Sequence, residues 1–461
     1  MTRQRQAQPG PAPTPKRQSD SAPPGLAARL LAHRLIAGVL VDEQPLELVL
    51  AKEFERPDAA ALEVRDRAFA RSLASTVLRR QGQLDLVLAT FMTRPLPQEA
   101  QRVRICLLAG AAQLLFFETP PHAAVGLAVD AVRRVRNGAR YAGMTNAVLR
   151  RVAAEGRAIL GSADAASLNV PAWLLERWHT AYGAETARRI AEASLREAPL
   201  DITLRPGVDP AVWAEKLGGR LLPTGSVRRL ADTRVEDLAG YADGAWWVQD
   251  AAAALVARVA GDLQDRTVAD LCAAPGGKTA QLATAGGQVT AVDVSSKRLE
   301  RLKENLQRLN LTAAIVTEDA ASWRPGRTFE VVVLDAPCTA TGTIRRHPDI
   351  LRLKRPEDVG RLAAQQAAML ANAARLMAPG GTLVYSTCSL EAEEGPDQIG
   401  SFLAAHPQFR RDPVALNQIG GDAGWITPDG DVRTLPCHMK MTSPDLSGMD
   451  GFFIARLRRH T

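Results

Sequence analysis

Eight residues, Cys272-Ala-Ala-Pro-Gly-Gly-Lys-Thr279, join the apolar run TVADL to a helix-forming segment. Small side chains at a strand-to-helix turn let a ligand approach the backbone, with unpaired helix N–H groups facing it. Two phosphate-binding readings fail on the letters. A P-loop needs glycine five residues before Gly277, where Cys272 stands, and no GxGxxG occurs. Acids then recur where apolar runs end: Asp293 after VTAV, Asp319 after AAIVTE, and Asp335 after EVVVL. A carboxylate at a strand's C-terminal edge can accept from both hydroxyls of a ribose, whereas a row of acids repels a pyrophosphate. A single strand-end Asp is more often a helix cap than a ligand group. Three in order beside a small turn suit a nucleoside with a cationic tail. S-adenosylmethionine, with its sulfonium and ammonium, matches, and Lys278 is the candidate to balance its carboxylate.

A second set of residues is nucleophilic. Five cysteines (Cys106, Cys272, Cys338, Cys388 and Cys437) form no CxxC pair and are odd in number. That argues against a disulfide framework and a structural zinc site, and for a reduced, cytoplasmic setting. Cys338 lies in Asp335-Ala-Pro-Cys-Thr-Ala-Thr-Gly342 and Cys388 in Ser386-Thr-Cys-Ser389, each in a polar turn directly after an apolar run. Neighbouring strands bring two such turns to one edge, where helix N-termini or Lys278 can favour a thiolate. Cys106, inside a helical pattern, reads as a small inert hydrophobe. Cys437, in LPCHM, follows no acid-tipped strand, and Cys437-His438 has no companion ligands at useful spacing, so no metal is expected.

The elements that must position these groups are legible as texture. From residue 246 onward short β runs alternate with helices, as in a parallel doubly wound sheet. The expected strands are 267–271, 289–294, 313–318, 330–335, 381–387 and 452–457. Residues 161–245 are mixed, with two helices in PAWLLERWHTAYGAETARRIAEASL and a strand in LDITLRPGV, and read as a small connecting domain. Residues 26–160 are helical throughout, with Pro95, Pro97, Pro120 and Pro121 at helix starts. Residues 1–25 hold six prolines and four basic residues, a flexible basic arm. The longest apolar stretch, Ile105 to Phe117, is too short to span a membrane, and no secretory leader is apparent.

Charge is divided unevenly. The chain carries a formal +7 over 461 residues, but residues 1–160 hold 23 lysines and arginines against 14 acids. The remainder is slightly acidic, so the helical third is the part suited to an anionic partner.

Together CAAPGGKT, DAPC with TIRRHPDI, STCS with LEAEE, and the ending GMDGFFIARL resemble the RsmB (Sun/Fmu) family of ribosomal RNA cytosine-C5 methyltransferases. PHAAVGLAVDAVRR and MTNAVLRRV resemble the NusB-like RNA-binding domain that such proteins carry. The resemblance implies a Rossmann-like α/β class I methyltransferase sheet preceded by an all-α NusB-like domain. It implies S-adenosylmethionine held by Cys272, Ala273, Ala274, Pro275, Gly276, Gly277, Lys278, Asp293, Arg298, Asp319 and Asp335. It implies 16S rRNA as substrate, with no membrane, metal or obligate protein partner. By the same resemblance Cys388 would attack C6 of cytosine, Asp335 would hydrogen-bond the ring, and Cys338 would assist release. Arg345 and Arg346 are then candidate phosphate clamps. Ala340 and Gly395 depart from the family's usual Gly and Asn. A transfer RNA substrate, or a non-catalytic assembly factor with a vestigial fold, are the alternatives.

Overall fold

The computed structural model describes residues 23–460, so most of the proposed basic arm lies outside the described residues. Seven α-helices between Leu26 and Gly161 enclose a large apolar core and a smaller one around Val103 and Val132. The helix Gln101–Phe116 runs through its middle and is apolar on nearly every face, with Leu107, Leu108, Ala111 and Ala112 fully buried. A helix buried all round needs no polar stripe, which is why its pattern mimics a short membrane segment. Among the described residues no helix is long and apolar enough to cross a membrane.

The connecting region is not a single unit. Its helices Ala165–Asn169, Ala172–Tyr182 and Ala184–Ser194 bury Trp178 and Ile190 against Ile344, Ile350 and Leu390 of the following domain. Its remainder builds a separate antiparallel sheet from β1 (Leu200–Leu204), β2 (Arg220–Leu221), β3 (Val227–Arg229) and β4 (Trp246–Val248), in the order β2-β3-β1-β4. The expected boundary at residue 246 therefore falls inside this sheet. Trp246 is fully buried with Ile202 and Val227, which fixes β4 to the small core rather than to the next domain.

The C-terminal sheet is formed by β5 (Thr267–Leu271), β6 (Gln288–Asp293), β7 (Ala314–Thr317), β8 (Phe329–Asp335), β9 (Met377–Thr387), β10 (Phe409–Arg411), β11 (Val432–Arg433) and β12 (Phe453–Arg459). Its order is β10-β12-β9-β8-β5-β6-β7, with β11 also on β12. Strands β5 to β9 are parallel, and the inner runs (VVVL in β8) are buried on both faces by flanking helices, so they show no alternation, while the edge strand β7 stays partly exposed. β12 enters antiparallel beside β9, so FFIARL lies within the sheet and not at its rim. Chain order reverses between β5 and β8, and such a switch point opens a crevice at the strands' C-terminal ends.

The helical domain is docked on the segment after β8. Leu46 N donates to Asp349 Oδ2 at 3.1 Å and Arg79 Nη2 to the Arg345 carbonyl at 2.9 Å. Arg352 in turn reaches the carbonyls of Leu78 and Asn169 at 3.0 and 2.7 Å. Gly82 is required there, because a Cβ would lie 1.7 Å from the Leu168 carbonyl oxygen.

Candidate active site

At the switch point β5 runs into the Cys272–Thr279 turn, and Gly277 starts the next helix. Gly276 holds a φ of 103°, open to glycine at little cost, and its Cβ would press on Leu302. A Cβ on Gly277 would meet nothing nearer than 3.9 Å, so space lies open above the helix N-terminus. Asp293 at the end of β6 accepts from Ala274 N and Ser295 N at 3.2 and 2.9 Å, closing the turn against the neighbouring strand. Arg298 binds the Ala274 carbonyl and lies 3.4 Å from Asp293, so its guanidinium braces the same turn. Asp319, just past β7, is exposed and caps Ala321 N at 2.9 Å. The small turn, the open helix end and the strand-edge acids fit a nucleoside with a cationic tail. The Cys272 thiol is pushed up by burial and by Asp335, Asp293 and Asp270, which keeps it protonated.

Asp270, beneath the turn, is absent from the expected set. It is fully buried, accepts from Thr279 Oγ at 2.6 Å, and leaves Oδ1 without a partner. Burial pushes its pKa from 3.8 to about 7. Below 3.8 the carboxyl is protonated in folded and unfolded chains alike and has no effect on stability. As pH rises toward 7 the unfolded chain releases a proton that the folded chain retains, and a penalty grows and then levels off. We therefore expect Asp270→Asn to stabilise the fold by roughly 2 kcal/mol at pH 8 and little at pH 4, read by thermal melting at both.

The two thiol turns meet. β8 and β9 are adjacent and parallel, with Asp335 opposite Ser386, and Cys338 Sγ lies 3.5 Å from Cys388 Sγ. Asp335 is fixed by Ser386 Oγ at 2.9 Å and by Lys278 Nζ at 2.8 Å. Lys278 is thus paired with Asp335 and set over the Phe452 ring, which corrects the expectation that it balances the cofactor's carboxylate. Burial works against its charge, but Asp335 more than offsets this and its pKa is raised. Cys338 is raised well above an ordinary thiol, by its hydrogen bond with Cys388, by burial, and by the nearby charges of Cys388 and Glu394. Such a site can present one sulfur for attack, a protonated second sulfur beside it, and an oriented carboxylate.

A buried polar network stitches the two turns together. Thr339 Oγ meets Ser389 Oγ at 3.0 Å, Thr341 Oγ accepts from Leu390 N at 2.9 Å, and Thr341 donates to Glu391. Arg177, from the connecting helix Ala172–Tyr182, closes on Glu391 and Glu393. The run LEAEE and the quoted thiol turns contain most of these residues, but hydroxyls and acids scattered over three segments have no shared spacing that would join them into a network.

Arg345 and Arg346 do not serve as phosphate clamps. Arg345 is 2% exposed and donates to the Ser447 carbonyl at 2.9 Å, while Arg346 is held between Asp250 (2.5 Å) and Asp450 (3.0 Å). Both guanidiniums are committed inward, so the TIRR loop ties the Cys338 turn to the loop before β12. Ala340 sits at φ 60°, the left-handed region that glycine tolerates better, at a cost of about 1 kcal/mol. A Cβ on Gly395 would lie 2.8 Å from Arg433 Nη2 and 3.1 Å from the Phe453 ring, so an Asn there would have to displace the Arg433 guanidinium and press on that ring. Cys437 packs with Ile344 and Leu435, and His438 stacks on Trp425, both remote in role from the thiol pair.

An open sheet with a small first turn, acid-tipped strands and one antiparallel strand inserted beside β9 defines an S-adenosylmethionine-dependent methyltransferase of class I fold, here preceded by an all-helical NusB-like domain. Residues 260–458 match the 16S rRNA methyltransferase RsmB/F family and residues 26–154 the NusB family. The ribosomal RNA small subunit methyltransferase B of Xanthomonas campestris pv. campestris is 36% identical over 88% of this chain and 94% of its own length. That of Sodalis glossinidius is 35% identical over 94% and 98%. The chain belongs to the RsmB family. Among solved structures, PH0851 is similar with a TM-score of 0.71 over 96% of this chain and 100% of its own, at 22% identity. NSun6 from Pyrococcus horikoshii, solved with SFG, gives 0.53 over 63% and 98%, at 21% identity. At these identities the two structures support the fold.

Proposed function

We propose that this protein methylates C5 of a cytosine in 16S rRNA through a covalent bond between Cys388 and C6 of the base. The observation that carries the reading is the 3.5 Å approach of two thiols beside the Lys278–Asp335 pair. Cytosine C5 is a weak nucleophile until a thiolate adds to C6 and moves the C5=C6 electron pair toward C5. S-adenosylmethionine supplies an electrophilic methyl, with its nucleoside end held at the Cys272–Thr279 turn and Asp293. Asp335 accepts a hydrogen bond from the 4-amino group and orients the ring, and the positive charge of Lys278 beside it offsets the negative charge that develops on the ring as Cys388 adds. As the Cys388–C6 bond breaks, the neutral Cys338 thiol, 3.5 Å away, hands its proton to the departing sulfur and takes up the C5 proton, whose electron pair returns to C5=C6, so Cys388 leaves as a thiol. A base in a helix must leave its stack to reach these groups. The test is methylation of a naked 16S transcript with bisulfite mapping. One cytosine protected from bisulfite conversion supports the reading, and 5-methylcytosine appearing only in transfer RNA opposes it.

The helical domain supplies a surface for the rest of the RNA. Two adjoining hollows of about 440 and 510 Å³ share Arg102, Val135 and Arg136, with Arg134, Arg140 and Tyr141 at their margins. Arg102 and Arg136 have no ion-pair partner among the described residues, and Arg140 stacks on Tyr141 at 4.8 Å. Cationic hollows with an aromatic at the rim suit a single-stranded phosphodiester chain. Replacing Arg102 and Arg136 together by alanine is expected to raise the KM for the transcript roughly tenfold with kcat unchanged. The salt dependence of binding should also flatten by about 0.7 per lost phosphate contact, read by filter binding across a salt series.

A further inference from the structure

Glu394 is fully buried and has no cationic partner among the described residues. A buried carboxylate without a counter-ion is expensive and persists where neutral donors satisfy it. Here they converge on one turn. The two carboxylate oxygens of Glu394 accept from Thr339 N at 2.9 and 3.2 Å, and from the Thr339 hydroxyl. Gln366 Nε2 donates to Glu394 Oε1 and also to the Pro337 carbonyl, both at 2.9 Å. Tyr385 completes the frame, its single hydroxyl proton lying between two acceptors, the Glu394 carbonyl at 2.9 Å and Gln366 Oε1 at 3.1 Å. The residues on both sides of Cys338 are therefore fastened to one acid, from Pro337 through Gln366 and from Thr339 directly.

We propose that Glu394 is the positioning residue for Cys338: it sets the thiol's place against Cys388 and, as a buried anion, keeps its proton on. The inference rests on the proposed role of Cys338 in release. An anion disfavours a thiolate nearby, so Cys338 remains a neutral thiol while Cys388 attacks, and the two sulfurs do not compete as nucleophiles. The nearby Glu394 charge is one of the influences raising the Cys338 thiol.

Two measurements on Glu394→Gln test this, with Glu394→Asp as the variant that keeps the charge. The first is the pH profile of Cys338 alkylation by iodoacetamide, read by mass spectrometry of its peptide in a Cys388→Ala background. Removing the charge lowers the thiol's pKa, so alkylation at pH 8 should rise on the order of three- to tenfold for Gln and stay near the parent rate for Asp. The second is the fraction of enzyme covalently linked to transcript on a denaturing gel. It should rise several-fold in Glu394→Gln while calorimetric binding of S-adenosylmethionine holds within about twofold. An unchanged alkylation profile in a variant that still binds S-adenosylmethionine overturns the proposal, as does loss of methyl transfer with no added adduct. If alkylation shifts while Cys338→Ala itself traps no adduct, the coupling of Glu394 to Cys338 stands and the release role of Cys338 falls.

Discussion

Replacing Cys388 by alanine is expected to abolish methyl transfer to the transcript, lowering kcat by at least about 10⁴-fold, because a covalent route without its nucleophile has no comparable substitute. Cys338 is close but does not take over. Without Cys388 its thiol is still held protonated by burial and the nearby Glu394 charge, and its turn is fastened on both sides. The variant should bind S-adenosylmethionine as the parent does, since the Cys272–Thr279 turn and Asp293 lie on β5 and β6 and share no hydrogen bond with the Cys388 side chain. Incorporation of radiolabelled methyl into transcript, with calorimetry as the control for folding, checks both halves. Turnover near that of the parent would remove Cys388 from the chemistry.

Cys338→Ala is expected to fail differently. Addition and methylation can each occur once, but the C5 proton has lost the group placed to receive it, and breakage of the Cys388–C6 bond depends on that proton leaving. General acid–base assistance of this kind contributes about 10²–10⁴-fold. We expect release to slow by that amount, so that each enzyme molecule methylates about one transcript and remains attached. A denaturing gel should show a slow-migrating RNA–protein band near one per enzyme, which the Cys388→Ala,Cys338→Ala double variant lacks. A freely turning-over Cys338→Ala enzyme, with no such band, would assign proton removal elsewhere. The contrast between the two single variants separates attack from release in two side chains 3.5 Å apart.

Much of this site could be read from letters because its groups cluster where β runs end. Asp293 and Asp335 close strands whose limits fall within a residue of those expected, and Cys338 and Cys388 follow adjacent strands as parallel pairing requires. Failures came where a side chain's partner lies far away in sequence. Arg345 and Arg346 read as phosphate clamps, yet Ser447, Asp250 and Asp450, about a hundred residues distant, draw them inward. Lys278 likewise turned from the cofactor to Asp335, 57 positions on. Asp270 hid within TVADL, where an acid in a buried strand leaves no periodic trace. The connecting region divided because its helices bury Trp178 against Ile344 and Leu390 instead of against their own sheet. Periodicity reports the face an element buries, and not which neighbour covers it.

The most direct measurement uses a 16S transcript made with 5-fluorocytidine, whose C5 carries no proton to lose once methylated. Incubated with the enzyme and S-adenosylmethionine, it should arrest after methyl transfer. Digestion and mass spectrometry should then find a single RNA-linked peptide, joined through Cys388. Attachment through Cys338, or no linked peptide from an enzyme that methylates the ordinary transcript, would contradict attack by Cys388.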